Sequence, residues 1–290
     1  MSTTLLLDGG TGSELRRRGI TFNESVWSAE ANLTEQNVLT GIHRDYIAAG
    51  ADVITANTFA TSRFVLAAGR LADRFETINI NALTAAREAA ATADRPVLIA
   101  ASLSCCPPFL DMSMRPDPAT ELRHYQELAN LFAGQGVDLI LLEMLQHPEH
   151  AASACRAAQE SGLPFWAGIS CREDMHSDSG LSSFDAPAAD FNAIVDAILP
   201  FAPVGIAIMH SPPAAISLAL GKLRRRWSGP VGAYAEIAYD EDPDVKSPRQ
   251  ISPDSYAQLV EEWLDSDLEL VGGCCGTTPA HIGALRKLLD

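Results

Sequence analysis

Near its C-terminus the chain reads Leu268-Glu269-Leu270-Val271-Gly272-Gly273-Cys274-Cys275-Gly276-Thr277-Thr278-Pro279. The first four residues form a short, mostly apolar run, which is typical of a buried strand. The glycines that follow allow a sharp turn, and Thr278 before Pro279 indicates the N-cap and the first residue of a helix. This segment therefore predicts a strand, a tight turn that carries two thiols, and a helix.

The same order of elements recurs along the whole chain. Eight apolar runs are present, at Thr4–Leu7, Asp52–Ala56, Pro96–Ala100, Leu139–Leu142, Phe165–Ile169, Val204–Ile208, Val231–Tyr234 and Leu268–Val271. Amphipathic helical patterns lie between them, most clearly at Ala119–Phe132, Asp254–Leu264 and Pro279–Leu289. Strands covered on both faces have such apolar runs, and eight strand-helix units predict a single (β/α)8 TIM barrel of the α/β class. We expect one domain over residues 1–290.

A doubly wound sheet is the alternative fold. It rarely uses eight such regular units, and Gly9-Gly10-Thr11-Gly12 does not have the GxGxxG spacing that would follow its first strand. The polar segment from Tyr239 to Pro253 is interpreted as a long loop after the seventh strand, either a lid or a surface excursion.

The composition restricts the classes of partner and compartment. The formal net charge of −16 disfavours nucleic acid and anionic lipid, because both repel an acidic surface. No apolar run reaches the roughly 20 residues that span a bilayer, and the N-terminus lacks the pattern of a signal peptide. The six cysteines include two pairs of adjacent residues, which is a poor disulfide framework. We therefore expect a cytoplasmic protein with reduced thiols, and the sequence leaves formation of a homo-oligomer open.

Polar and thiol side chains occur where the predicted strands end. They are Asp8, Asn57, Cys105, Glu143, Cys171, His210, Glu236, Cys274 and Cys275. The reactive residues of such a barrel lie at the C-terminal ends of its strands, so we expect these side chains to share one rim. Several of them can bind a metal, whereas the alternative for the cysteines is that they are small buried residues. A second metal site at Cys105-Cys106 has no further support.

Four motifs make the chain resemble the homocysteine S-methyltransferase family, which includes betaine–homocysteine and S-methylmethionine–homocysteine methyltransferases. They are Asp8–Leu15, Gly50–Phe59, Leu141–Glu143 and Gly272–Pro279, so the resemblance runs over nearly the whole chain. It implies a (β/α)8 barrel with a catalytic Zn²⁺, in agreement with the count of strands.

The resemblance also implies roles for individual residues. Cys274 and Cys275 match two of the three zinc ligands, and Glu143 matches the carboxylate that holds the amino group of homocysteine. Asp8 and Gly9 match a loop that lines the same amino-acid site. The predicted substrate-binding residues are Asp8, Gly9, Asn57, Thr58, Glu143, Glu236 and Gly273. We predict no catalytic residue beyond the metal site, and for the carboxylates the alternative is that they cap a following helix.

The third zinc ligand of the family, a cysteine after the sixth strand, is replaced here. The segment reads Ala207-Ile208-Met209-His210-Ser211-Pro212-Pro213, and His210 takes the cysteine's position. Histidine is a good zinc ligand beside two cysteines, so we predict the ligand set His210, Cys274 and Cys275; the alternative is an ordinary polar rim residue. Two thiolates and a neutral imidazole leave Zn²⁺ without net charge, whereas three thiolates give −1, so we expect a stronger Lewis acid. A different acceptor, or a more reactive donor, would suit such a site.

The predicted function is zinc-dependent methyl transfer between small molecules. The donor would be a sulfonium or ammonium compound (S-methylmethionine, S-adenosylmethionine or a betaine), and the acceptor a thiol such as homocysteine, which gives methionine. Glu236 would attract the cationic donor, and Trp166 or Phe59 would add cation–π contact unless they serve in core packing. The alternatives are methylation of another thiol or selenol, demethylation of another donor, a non-catalytic amino-acid-binding relative, and a metal-dependent hydrolase, which thiol-rich ligation disfavours.

Overall fold

A barrel of eight parallel strands forms the centre of the protein. It is seen in a computed structural model that describes residues 4–22, 25–105, 115–185, 189–239 and 249–290. The strands are β1 (Leu5–Leu6), β2 (Val53–Ala56), β3 (Leu98–Ser104), β4 (Leu139–Leu145), β5 (Phe165–Ile169), β6 (Gly205–Met209), β7 (Val231–Ala235) and β8 (Leu270–Gly273). Each overlaps the apolar run that predicted it.

The strands follow chain order around the barrel, from β2 through β8, with β1 beside β8. A parallel bridge pairs Leu7 with Val53, and the backbone N–H of Asp8 donates to the carbonyl of Val53 at 3.0 Å. These contacts join β1 to β2 and close the ring. The predicted (β/α)8 barrel is therefore confirmed, and the doubly wound alternative is excluded.

Helices surround the barrel. They are α1 (Thr11–Arg17), α2 (Ala31–Thr34), α3 (Gln36–Ala48), α4 (Arg63–Ala68), α5 (Phe75–Ala90), α6 (Pro118–Gly134), α7 (Pro148–Ser161), α8 (Phe191–Ile198), α9 (Pro213–Leu223), α10 (Pro253–Leu264) and α11 (Pro279–Leu289), with 3₁₀ turns at Ser28–Glu30, Ala72–Arg74 and Leu199–Phe201. Ser252 caps α10, since its hydroxyl accepts from the N–H of Ser255 at 3.2 Å. Thr278 is the N-cap of α11, and its N–H donates to Nδ1 of His281 at 3.2 Å.

Strands β3 and β4 extend furthest beyond the apolar runs that predicted them. Strand β3 continues past Ala100 to Ser104, because the small buried side chains of Ser102 and Ser104 fit the ladder with β4. Strand β4 continues through Glu143 to Leu145, with an irregularity in its pairing with β5. These extensions bring polar side chains to the rim while their backbone remains in the sheet.

Side chains fill the barrel interior, and Trp166 is the largest of them. This ring lies against Gly205 and Gly232, and a Cβ at position 205 would come within 2.5 Å of it. Trp166 therefore serves in core packing, which was the alternative to cation–π contact with a donor. A separate apolar layer packs between the barrel and its helices.

Two hairpins interrupt the alternation of strands and helices. Cys171–Glu173 pairs with Leu181–Ser183 after β5, and Ala238–Tyr239 pairs with Arg249–Gln250 after β7. Residues 240–248 of the predicted Tyr239–Pro253 loop lie outside the described residues, as does Cys106. The helices in the described ranges are all too short or too polar to cross a membrane.

Candidate active site

A cavity of about 430 Å³ opens at the C-terminal ends of the barrel strands. The predicted residues that line it are Asp8, Gly9, Asn57, Glu143, His210, Glu236, Gly273, Cys274 and Cys275. A larger open groove of about 710 Å³ lies elsewhere, where Arg95 and Arg286 are paired with Asp52. None of the predicted site residues lines that groove, so we assign the chemistry to the smaller cavity.

Three residues do not line this cavity: Thr58, predicted to bind substrate, and the predicted rim residues Cys105 and Cys171. Thr58 is fully buried and its hydroxyl donates to the carbonyl of Ser102 at 2.8 Å, so it supports the wall instead of facing a substrate. Cys105 and Cys171 are also fully buried, and burial raises the pKa of the Cys171 thiol to about 12. For these two cysteines, the interpretation as small core residues fits the structure.

The side chains of His210, Cys274 and Cys275 converge at one side of the cavity. One potential ligand atom from each lies within 4.8 Å of the other two, and Nδ1 of His210 is 3.5 Å from Sγ of Cys274. Zinc bonds of about 2.0–2.1 Å to nitrogen and 2.3 Å to sulfur at a tetrahedral angle separate the two atoms by about 3.5 Å. The distance between His210 and Cys274 and the donor set of two thiols and an imidazole thus fit a zinc ion.

The turn after β8 holds the two thiols against the start of α1. Thr277 donates from its hydroxyl to the carbonyl of Cys274 at 2.6 Å, and the N–H of Gly276 donates to the hydroxyl of Ser13 at 2.9 Å. Gly276 has φ +82°, a backbone conformation that favours glycine. Gly273 has no room for a side chain, since a Cβ there would lie 2.3 Å from the Thr277 hydroxyl oxygen. These glycines explain why the thiols occur in a Gly-Gly-Cys-Cys-Gly run.

His210 lies immediately after β6 and its backbone is fixed on both sides. Its N–H donates to the carbonyl of Tyr234 at 3.2 Å, and its carbonyl accepts from the hydroxyl of Ser170 at 2.7 Å. The residue has φ +41°, which is uncommon for a residue with a side chain. Its Nε2 lies 3.2 Å from a carboxylate oxygen of Glu236, and the ring of Phe184 contacts the imidazole edge-on at 5.0 Å between centroids.

The thiol–imidazole cluster is electrostatically coupled. A hydrogen bond from Cys274 lowers the pKa of the Cys275 thiol well below its usual range, and His210 lowers it further. Burial opposes protonation of His210, but Cys275 and Glu236 together raise its pKa to about 9 in the metal-free protein. The lowered pKa favours the thiolate form of Cys275, which is the form that binds a metal.

Two buried carboxyl groups line the same cavity. Burial raises the pKa of Asp8 to about 8, although Thr55 donates to it from its N–H and its hydroxyl, both at 2.8 Å. Burial also raises the pKa of Glu143 to about 7, against hydrogen bonds from Ser102 and Tyr234. A cationic ligand group beside these carboxyls would stabilise their charged forms.

Asn57 lines the cavity, yet its side chain is bonded into the protein. Its amide nitrogen donates to the carbonyl of Ser28 and to the side-chain oxygen of Asn32, both at 2.9 Å. Its own side-chain oxygen accepts from the hydroxyl of Ser28 at 2.7 Å. Asn57 therefore ties the segment after β2 to the 3₁₀ turn at Ser28–Glu30 and to α2.

Sequence reasoning missed several residues of the wall. Arg16 lies over the ring of Trp27 at 4.2 Å, and Phe184 and Asp185 enter from the hairpin that follows β5. Arg16 could have been found from the sequence, because it directly follows the Asp8–Leu15 motif. Phe184 and Asp185 carried no signal, because neither residue stands at the end of a predicted strand or in a motif.

Comparisons with known proteins show which family the chain belongs to. The family model described as homocysteine S-methyltransferase matches residues 5–289. Selenocysteine Se-methyltransferase of Brassica oleracea var. italica is 27% identical over 98% of this chain and 88% of its own length. Homocysteine S-methyltransferase YbgG of Bacillus subtilis (strain 168) is also 27% identical, over 96% of this chain and 92% of its own.

The fold has a counterpart among solved structures. The metallated form of the homocysteine methyltransferase MmuM from Escherichia coli superposes with a TM-score of 0.79 at 21% identity, covering 98% of this chain and 96% of that one. The barrel is thus shared, and the family match extends over nearly the whole chain. The protein is a methyltransferase, and the chain belongs to the homocysteine S-methyltransferase family.

Proposed function

We propose that the protein is a zinc-dependent enzyme that moves a methyl group from a sulfonium or ammonium donor to a thiol, with homocysteine as the principal acceptor and methionine as the product. The observation that carries this proposal is the convergence of His210, Cys274 and Cys275 within 4.8 Å on the wall of the rim cavity. Family membership supports methylation of a thiol or selenol.

His210, Cys274 and Cys275 would hold the metal. Two thiolates with one histidine are a known catalytic ligand set that leaves a fourth position open. Bound there, Zn²⁺ would keep the acceptor's thiol in its reactive thiolate form near neutral pH. The protein's own contribution is to hold the thiols on one rigid turn, since the N–H of Cys274 donates to the carbonyl of Ala235 at 3.0 Å.

The acceptor's amino group would bind at the two buried carboxyls. Glu143 is held by Ser102 and Tyr234, and Asp8 by Thr55. An ammonium group placed against them would make charge-assisted hydrogen bonds, which are stronger than neutral ones. Both carboxylates line the same cavity as the thiols, so the amino group and the sulfur of one amino acid would be bound at the same time.

The transfer itself needs position more than acid–base chemistry. The acceptor sulfur uses its electron pair to form a bond with the methyl carbon, while the bond from that carbon to the donor sulfur or nitrogen breaks. That second electron pair stays on the donor, which leaves as a neutral thioether or amine, and the proton lost from the acceptor thiol passes to solvent. Holding both reactants in line supplies the main rate enhancement.

A cationic donor suits the rest of the cavity. Phe59 and Phe184 line it, and their ring faces attract cations. The net charge of −16 attracts cations over a longer range. A reducing compartment such as the cytoplasm suits the site, because Cys274 and Cys275 must remain free thiols to bind a metal.

A selenol is the second candidate acceptor. Support comes from the relative described as a selenocysteine Se-methyltransferase, which matches 98% of this chain. The replacement of a thiolate ligand by His210 also favours a selenol. Zn²⁺ with two thiolates and an imidazole has no net charge, which makes a bound acceptor a weaker nucleophile. A selenolate would offset this loss of nucleophilicity.

A panel assay tests the proposal. Zinc-loaded protein is incubated with S-methylmethionine, S-adenosylmethionine or betaine against homocysteine, selenocysteine and other thiols, and methylated products are measured by mass spectrometry. We expect turnover with at least one cationic donor, and a loss of at least about 100-fold in kcat/KM for Cys274→Ser, because an interaction worth several kcal/mol is removed. Cys155→Ala, in α7, is the matched control and should keep its activity. Bound zinc without methylation of any acceptor would favour a non-catalytic relative.

A further inference from the structure

The contact between Glu236 and His210 gives the carboxylate a role other than attracting a donor. Glu236 is mostly buried, with 14% of its side chain exposed, and one of its oxygens lies 3.2 Å from Nε2 of His210. The other ring nitrogen, Nδ1, points at the thiols, 3.5 Å from Sγ of Cys274. The imidazole therefore lies between a carboxylate at Nε2 and a thiol at Nδ1.

We propose that Glu236 is a positioning residue that accepts the Nε2–H of His210 and so reserves Nδ1 for the metal. A neutral imidazole carries its proton on one nitrogen only, and the hydrogen bond made by that nitrogen decides which nitrogen is free to bind a metal. Carboxylates commonly play this part behind a metal-binding histidine, where they also fix the orientation of the ring. The inference rests on the proposed zinc site.

The local backbone makes Glu236 suited to this task. The segment after β7 is bonded directly to the turn with the thiols: the N–H of Cys274 donates to the carbonyl of Ala235, and the N–H of Ile237 to the carbonyl of Cys275, both at 3.0 Å. The carboxylate and the two thiols are thus parts of one rigid unit. His210 directly follows the neighbouring strand β6, and its ring contacts this unit through Glu236 on one side and Cys274 on the other.

The substitution of histidine for cysteine explains why such a partner is needed here. A cysteine ligand has a single sulfur and no tautomer to select, whereas the imidazole of His210 has two nitrogens and a ring that can rotate.

A double-mutant cycle on zinc affinity tests this role, measured by competition with a chromophoric chelator. We expect Glu236→Ala to weaken zinc binding about 10- to 100-fold, the usual cost of removing such a partner. In the His210→Cys background the same substitution should change the affinity less than about twofold, because no imidazole remains to be oriented. Glu236→Gln keeps an oxygen that accepts the Nε2–H, so it should recover most of the loss.

Two further measurements separate positioning from other roles. The visible spectrum of bound Co²⁺ reports ligand geometry, and it should change in Glu236→Ala but be largely restored in Glu236→Gln. Glu261→Gln is the control, since this carboxylate is exposed on α10 and does not line the cavity; it should leave zinc affinity unchanged.

Three outcomes would overturn the role of Glu236 alone. These are an equal loss of affinity in both backgrounds, no loss in either, and an increased KM for the donor with normal zinc affinity, which would return Glu236 to donor binding. Failure of the wild-type protein to bind zinc would instead overturn the proposed function, and this inference with it.

Discussion

Single residues determine how this site differs from a three-cysteine centre. His210 replaces a charged thiolate by a neutral ring, and Glu236 lies against that ring at 3.2 Å. The sequence identified His210 as a candidate ligand because it stands at the end of a strand and takes the position of the family's third zinc-binding cysteine. The same reasoning assigned Glu236 to the donor, since contact between the ends of β6 and β7 depends on side-chain direction, which a linear pattern does not contain.

Glu143 gives the clearest prediction for a single residue. Burial raises its pKa to about 7, so the carboxyl loses its charge as the pH falls below that value. The charged form is the one that binds an ammonium group, so the KM for homocysteine should fall as the pH rises through about 7. In Glu143→Gln the part of this dependence near pH 7 should disappear, which leaves the part due to Asp8 near pH 8. The KM should also be about 10- to 100-fold higher, because a charge-assisted hydrogen bond is lost.

An acceptor without an amino group controls for this effect. With 4-mercaptobutanoate as acceptor, steady-state kinetics should give the same KM for the wild-type protein and for Glu143→Gln. If the substitution raised the two KM values equally, Glu143 would act on the cavity as a whole and not on the amino group.

At the scale of elements, the strands were predicted well where they are apolar and poorly where they become polar. Strand β4 extends to Leu145 through Glu143 and Met144, and Met144 adopts φ +57°. The apolar run ended at Leu142, because a period-based reading treats a charged residue as the end of a buried strand. Helices α6, α10 and α11 were predicted within two residues of their ends, since their caps and prolines are local signals.

Packing inside the barrel gives a prediction at the same scale. Gly205→Ala places a methyl group 2.5 Å from the Trp166 ring, which core close packing does not tolerate. We expect a loss of about 1–3 kcal/mol in the free energy of unfolding, measured by urea denaturation. Gly221→Ala is the matched control, because a Cβ in that part of α9 meets nothing within 4 Å. It should stabilise the protein by about 0.5–1 kcal/mol, through the helix propensity of alanine. Equal effects from the two substitutions would contradict this account of the interior.

For the whole molecule, the barrel explains how distant motifs build one cavity. Asp8 follows β1, Glu143 lies in β4, and the thiols follow β8. Parallel strands closed into a ring bring their C-terminal ends together, so counting eight units was enough to predict a shared rim. The count did not predict the contact between Leu7 and Val53 that closes the barrel, because this contact depends on the register of the strands. It also did not predict the wall residues Phe184 and Asp185, because their place depends on the path of a hairpin.

The central claim is that His210 completes a zinc site with Cys274 and Cys275. The most direct test is the amount of zinc bound per chain after dialysis against a weak chelator, in the wild-type protein and in His210→Ala. We predict about one zinc per chain for the wild type and a loss of most of it in the variant, because a ligand set of three becomes a set of two. Full retention of zinc by His210→Ala, with a folded barrel by circular dichroism, would contradict the account.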